Sequence, residues 1–264
     1  MSRSMLRRLV DANVRASRRV GLWASHVASR RGGLSDFVHD LVPRLLRPGL
    51  RVLDVGGGAS PTIRPEVVGE LGLWVVGLDV SAERLQQAPA GAYQDFIVGD
   101  VASVGIPGRF DLVLSSALLE HVRDVEAAIA NMAASLSENG VMAHFVPCRN
   151  APFAIINRLL GNRLSRGVLL GLHPERGQIA GFPAYYDQCV ASALRAICGR
   201  SGLEIVDLKP YYVSEYFESC LPLHVLDLVR QLVLARLDWA DLAETLWIVA
   251  RKASSIDTEL RSSI

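Results

Sequence analysis

The sequence predicts an α/β fold built on a doubly wound, mostly parallel sheet, and three observations carry that prediction. Short apolar runs alternate with helical segments along most of the 264 residues, which is the pattern of strands joined by crossover helices. The run Arg51-Val-Leu-Asp-Val-Gly-Gly-Gly-Ala-Ser60 reads as a buried strand that stops in a glycine turn. Two further apolar runs end in acids at equal intervals: Leu73-Trp-Val-Val-Gly-Leu-Asp79 closes 21 residues after Gly58, and Phe96-Ile-Val-Gly-Asp100 closes 21 residues later.

Taken in order, a helix over about 34–47 is ended by Pro48-Gly49, and Val52, Leu53 and Val55 supply strand one. Ser60 and Pro61 suit the start of the next helix, expected over about 62–71, because Ser can cap and Pro is tolerated in a first turn. After strand two comes a helix at about 82–88, and Phe110-Asp-Leu-Val-Leu-Ser115 is strand four. Asp124 is the expected cap of a helix to about 136, whose face Val125, Ala128, Ile129, Met132 and Leu136 has the period of a helix lying on a sheet. Asn139-Gly140 is read as its stop and Val141–Val146 as strand five. A helix over about 188–200 stops at Gly202; strand six (203–209), an amphipathic helix (221–236) and a final, antiparallel-looking strand (244–251) follow.

Residues 148–187 break the alternation with an apolar, basic stretch and a Pro/Gly-rich segment. An insertion after strand five lies over the edge of an open sheet where ligands bind, so it is expected to form a helical substrate cap. The expected organisation is therefore a basic amphipathic helix in 1–33, a core in 34–147 and 188–264, and the cap in 148–187.

Composition narrows the classes. Half of the residues are hydrophobic, yet no apolar run reaches the ~18 residues that span a bilayer. Arginines interrupt every apolar stretch before residue 32, unlike a signal peptide. Cys148, Cys189, Cys198 and Cys220 have no metal-like spacing and read as packed, reduced thiols, so a cytoplasmic protein without a metal is expected. Net charge is only +1, but residues 1–51 hold eleven Arg against Asp11, Asp36 and Asp40. A basic amphipathic helix there can lie on an anionic membrane or touch nucleic acid; it can equally cover the domain or a partner copy with its Arg face in water.

The ordered set of glycine turn, Asp79, Asp100 and Leu118-Leu-Glu-His-Val122 resembles class I S-adenosylmethionine-dependent methyltransferases, in their small-molecule, type 11/12-like branch. The resemblance runs motif by motif over about 34–147 and by strand pattern alone over 188–252. One departure is visible, Asp54-x-Gly56-x-Gly58-x-Ser60, with Ser60 where the family has a third glycine. The resemblance implies a seven-stranded Rossmann-like sheet and a site for S-adenosylmethionine. Gly56, Gly57 and Gly58 would approach the methionyl portion, with Asp54 orienting their loop from inside the strand. Asp79 would accept from the ribose hydroxyls beside Val80. Asp100 would take the adenine amino group, with the backbone of Val101 at a ring nitrogen. The carbonyls of Ser115 and Ser116 would hold the methionyl ammonium.

The implied reaction is in-line methyl transfer to a small-molecule acceptor, with oxygen the expected atom. His121 is the leading candidate for a base that takes the acceptor proton, and His173 and Tyr185, with Tyr186 beside it, are its rivals in the cap. Glu120 is not expected to orient His121, since adjacent side chains seldom point the same way. His144, between Ala143 and Phe145, reads as a satisfied core histidine. The apolar, basic cap suits a lipid-like or anionic acceptor, and membrane-peripheral contact through the N-terminal helix is one reading of that helix. Oligomeric state is left open. Two alternatives stand beside the enzyme reading: a nucleic-acid methyltransferase, disfavoured because no Asn/Asp-Pro-Pro-aromatic tetrapeptide follows strand four, and a non-catalytic relative of the same fold. A nicotinamide enzyme would want a Tyr-x-x-x-Lys, which is missing.

Overall fold

The computed structural model describes residues 3–25, 32–159, 183–214, 216–218 and 220–252. Its centre is a seven-stranded sheet of β1 (Arg51–Val55), β2 (Trp74–Asp79), β3 (Asp95–Val98), β4 (Phe110–Ser116), β5 (Leu136–Pro147), β6 (Leu203–Tyr211) and β7 (Thr245–Lys252), in the order β3-β2-β1-β4-β5-β7-β6. The first five strands run parallel, and β7 is antiparallel to both β5 and β6. That is the expected doubly wound sheet with its antiparallel finish. Because β3, β2, β1 and β4 are consecutive neighbours, the turns after them share one edge of the sheet.

Helices cover both faces. Phe37, Leu41 and Val68 pack with Val52, Leu114 and Trp247 on one side. They come from α2 (Gly33–Asp36), a π-helical turn (Phe37–Leu41), α3 (Val42–Leu45) and α4 (Pro65–Leu71). After β2 comes α5 (Ala82–Gln86), capped by the Ser81 hydroxyl, which accepts from the Arg84 N–H at 3.2 Å. The other face is covered by α6 (Val125–Ser135) and α8 (Ala191–Arg200), whose Ile129 and Leu194 pack on Leu53, Val113 and Met142. As expected, Asp124 caps α6 by accepting from the Ala127 N–H at 2.9 Å, and Val125, Ala128, Ile129 and Met132 are fully buried. A helical turn at 152–159, here α7, begins the insertion; α9 (Leu221–Leu237) precedes β7, and α1 (Arg3–Ser25) packs on α9.

Two boundaries differ from expectation. The helix after β1 begins at Pro65, not near Ser60. The Ser60 N–H instead closes a turn on Gly57 O at 2.8 Å, and Thr62 is captured by Asp54. Asn139-Gly140 does not stop a helix but lies inside β5, where the pairing with β4 jumps from Phe110↔Leu136 to Leu112↔Val141. The extra residues are a bulge, and α6 has already ended at Ser135. The described parts of the insertion are 148–159 and 183–187; the remainder of the expected cap, with His173, lies outside the described residues.

The antiparallel end of the sheet is locked by one large side chain. Trp247 is 1% exposed, meets Tyr211 edge-on at 5.6 Å between ring centres, and donates from Nε1 to Asp207 at 3.2 Å. Trp247→Ala is expected to cost about 3–5 kcal/mol of stability through the cavity it leaves, read from urea unfolding. An unchanged midpoint would show that this end of the sheet does not depend on it.

Candidate active site

The site is assembled around Asp54, which has no exposed surface. Its Oδ2 accepts from the Thr62 N–H at 2.7 Å, and its Oδ1 accepts from the Thr62 hydroxyl at 2.7 Å. The Tyr93 hydroxyl adds a longer bond to Oδ2 at 3.3 Å. Burial pushes the Asp54 carboxyl upward in pKa, and the bonds from Thr62 and Tyr93 oppose that shift. These contacts tie the end of β1 to a residue eight positions later and so fold the intervening glycines into a tight loop.

The loop is crowded in a way that only glycine allows. Gly58 has φ +49°, and a Cβ on it would lie 2.7 Å from Asp79 Oδ2 and 2.9 Å from Arg84 Nε. A Cβ on Gly57 would lie 2.7 Å from the fixed Asp54 Oδ2. Such a bare, tightly held backbone beside a carboxylate fits a ligand that presents both a polar chain and a diol. The loop and Asp79 therefore adjoin one another.

At the tip of β2, Asp79 is almost buried, and its Oδ1 accepts from the Ser81 N–H at 2.9 Å. Val80 beside it is more than half exposed, an apolar surface next to the carboxylate. At the tip of β3, Asp100 is exposed while its Oδ1 accepts from the Ala102 N–H at 2.9 Å. Val101 is buried, and Asn131 of α6 donates to the carbonyls of Val101 and Val104, each at 2.8 Å. At the end of β4, Ser116 is partly exposed, whereas the Ser115 side chain is buried and its Oγ lies 2.7 Å from His144 Nδ1. His144 is thus a core histidine, as expected, but only half satisfied, because its Nε2 has no partner among the described residues. Burial pushes its pKa down to about 4, so the ring is neutral.

The segment Leu119–His121 follows β4 as a single 3-10 turn. The His121 Nδ1–H donates to Pro183 O at 2.9 Å, while the Glu120 carbonyl accepts from the Tyr185 and Tyr186 N–H groups at 2.7 and 3.0 Å. The end of the insertion is thereby stitched onto the tip of β4, which brings His121 and Tyr185 together. Tyr185 carries the Arg123 guanidinium 4.4 Å above its ring. Contrary to expectation, Glu120 and His121 do turn toward each other, with Oε1 3.8 Å from Nε2, although that is too long for a hydrogen bond. The tight 3-10 turn removes the divergence that adjacent residues show in a strand. Burial raises the Glu120 carboxyl to about 8 and lowers the His121 pKa, so both groups are neutral near pH 7.

Sequence reasoning missed Thr62, Tyr93 and Asn131. Thr62 was findable as the first donor beyond the glycine turn. Tyr93 and Asn131 sit in segments whose pairing with the loops depends on the assembled sheet.

Comparison with known proteins places this geometry. A family model described as a methyltransferase domain matches residues 26–208. Ubiquinone biosynthesis O-methyltransferases are similar over a shorter stretch: that of Rhodopseudomonas palustris (strain HaA2) is 36% identical over 99 residues, 36% of this chain and 38% of the relative. That of Nitrobacter winogradskyi is 35% identical over 107 residues, 39% of this chain and 40% of the relative. The chain thus spans about two-fifths of the length of the curated relatives it matches. Among solved structures, an S-adenosylmethionine-dependent methyltransferase from Mesorhizobium loti superposes with a TM-score of 0.55 at 22% identity, covering 83% of this chain and 100% of that one. The magnesium protoporphyrin IX methyltransferase of Synechocystis PCC 6803, solved with bound S-adenosylhomocysteine, superposes with a TM-score of 0.52 at 17% identity, covering 92% and 87%. The matched family model spans more than half of the residues and includes the glycine turn, Asp79, Asp100 and His121, and the chain belongs to the methyltransferase-domain family.

Proposed function

We propose that this protein transfers a methyl group from S-adenosylmethionine to an oxygen of a small-molecule acceptor held under a cap built from residues 148–187. The observation that carries the reading is the convergence of the glycine loop, Asp79, Asp100 and His121 on one edge of the sheet, at the tips of adjacent parallel strands. The name shared by the curated relatives supports oxygen as the methylated atom and a quinone-like, greasy acceptor.

Each residue has a definite task in that reading. The loop of Gly56, Gly57 and Gly58 offers bare backbone to the methionyl chain, held in place by Asp54 and Thr62. Asp79 accepts from the ribose hydroxyls with Val80 flanking them, and Asp100 with the Val101 N–H reads the adenine edge. The carbonyls of Ser115 and Ser116 would hold the ammonium. When bound, S-adenosylmethionine supplies a methyl already activated by its sulfonium, so the protein needs chiefly to align the acceptor, exclude water and take its proton.

His121 is suited to that last task. Its Nδ1–H is held by Pro183 O, which leaves Nε2 as the basic nitrogen, and burial keeps the ring neutral. The neighbouring Glu120, protonated below about pH 8, adds no negative charge that would raise the His121 pKa. Tyr185 and His173 are the rival bases, and Tyr185 is placed beside His121 by its bond to Glu120 O.

The role of Asp79 is tested by Asp79→Ala, which should weaken S-adenosylmethionine binding by about 1–3 kcal/mol through the lost hydroxyl contacts. Unchanged affinity would remove Asp79 from the site. The base is tested by transfer of labelled methyl to a phenolic acceptor. His121→Ala should keep cofactor affinity and lose about 10²–10⁴-fold in turnover. Because His121 titrates below its ordinary 6.5, the acid limb of the wild-type rate should fall below that pH. A limb at or above 6.5, or full activity in the variant, would move the role to Tyr185 or His173.

A further inference from the structure

The helix α9 is amphipathic in the reverse sense. Its inward face carries His224, Asp227 and Gln231, all at most 5% exposed, alongside Leu228 and Leu234. Its outward face carries Leu223, Leu226, Val229, Val233 and Leu237, and Trp239 follows at its end; Leu226 is 67% exposed and Trp239 54%. This orientation is fixed from inside. Gln231 donates to Asp227 Oδ2 at 2.7 Å and to Ser214 O at 3.3 Å, and Arg230 donates to Asp227 Oδ1 at 2.8 Å and also holds Glu244. Rotating the helix to hide its leucines and valines would break that network and leave the buried Glu244 without Arg230. The apolar stripe therefore stays outward, where an isolated patch of this kind marks an interaction surface.

The helix beside it says what covers the stripe. Along α1 there are six arginines against one acid, Asp11. Asn13 Oδ1 accepts from the Leu221 N–H at 3.0 Å and Arg18 pairs with Glu218 at 3.3 Å, which seats α1 on the start of α9. Arg8, Arg15 and Arg19 remain exposed on its outer side. An apolar helix face ending in an exposed tryptophan, flanked by an arginine-rich helix, is complementary to an anionic bilayer surface, with hydrocarbon below and phosphate above. A second copy fits less well, since a two-fold contact here would bring the two sets of arginines together.

We infer that the α1–α9 face docks on anionic lipid bilayers. No described helix is long and apolar enough to cross a membrane, so the contact is one of lying on the surface. The face adjoins the active-site edge, because Arg230 of α9 holds Glu244, the residue before β7, whose Thr245 pairs with Pro147 at the end of β5. The inference is independent of the methyl-transfer reading, since vesicle binding requires no chemistry.

The test is co-sedimentation of the full chain with vesicles of phosphatidylglycerol and phosphatidylcholine, against phosphatidylcholine alone. The anionic vesicles should bind at least about tenfold better, and high salt should remove most of that preference. Leu226→Glu/Val229→Glu should abolish binding to both kinds of vesicle, whereas Arg15→Glu/Arg19→Glu should remove only the preference for anionic lipid. Thermal melts of both variants should match wild type, as the positions are exposed. No sedimentation of wild type with anionic vesicles would overturn the inference. So would a self-associated species in sedimentation velocity that Leu226→Glu/Val229→Glu disperses, since that would give the face to a second copy.

Discussion

A carboxylate with no access to water, Asp54, holds the place on which the rest of the site depends. Left unpaired, such a group would cost several kcal/mol, on the order of the whole margin of a small domain. Thr62 removes much of that cost with two short bonds, and in doing so folds the chain back across the tip of β1. The glycines between them then have no freedom to drift. Gly57 lies against Asp54, Gly58 against Asp79 and Gly56 against Leu118, each too close to admit a side chain. The stability of the turn and the shape of the glycine loop are thus one feature seen from two sides.

The second constraint is topological. In the order β3-β2-β1-β4, parallel strands put the turns that follow them on the same edge, so residues far apart in sequence meet without any special device. Residues 183–187, which follow the insertion's undescribed part, are joined to the turn after β4 by backbone bonds from Tyr185 and Tyr186 to Glu120 and by the His121 side chain on Pro183. The turn that places His121 therefore also holds residues 183–186, so the position of His121 is tied to that of the segment leading into α8.

Much of this was legible from residue order. Apolar strand runs, the cap at Asp124 and the stop at Gly202 depend on local chemistry, and the structure has them where local chemistry puts them. Ser60 misled because a good cap residue was judged without its competitor: Asp54, buried in β1, claims Thr62 and delays the helix to Pro65. Asn139-Gly140 misled because the same dipeptide serves a helix end and a bulge, and only the pairing with β4 distinguishes them. Helix α9 shows the deepest limit. A 3.6-residue period reveals that a helix has two faces, but which face turns inward is decided by partners outside the helix, such as Ser214 and Glu244 in the segments that flank it. Tyr93 and Asn131 were invisible because their partners, Asp54 and the Val101 and Val104 carbonyls, meet them only in the assembled sheet.

The central claim is that the edge formed by Gly56–Gly58, Asp79 and Asp100 is a site for S-adenosylmethionine. Calorimetric titration of the purified protein with S-adenosylmethionine and S-adenosylhomocysteine, with NADH as the control, tests it most directly. The account predicts saturable binding of the first two at micromolar concentration, on the order of −8 kcal/mol, and no heat from NADH. Binding of NADH instead, or silence toward all three, would contradict it.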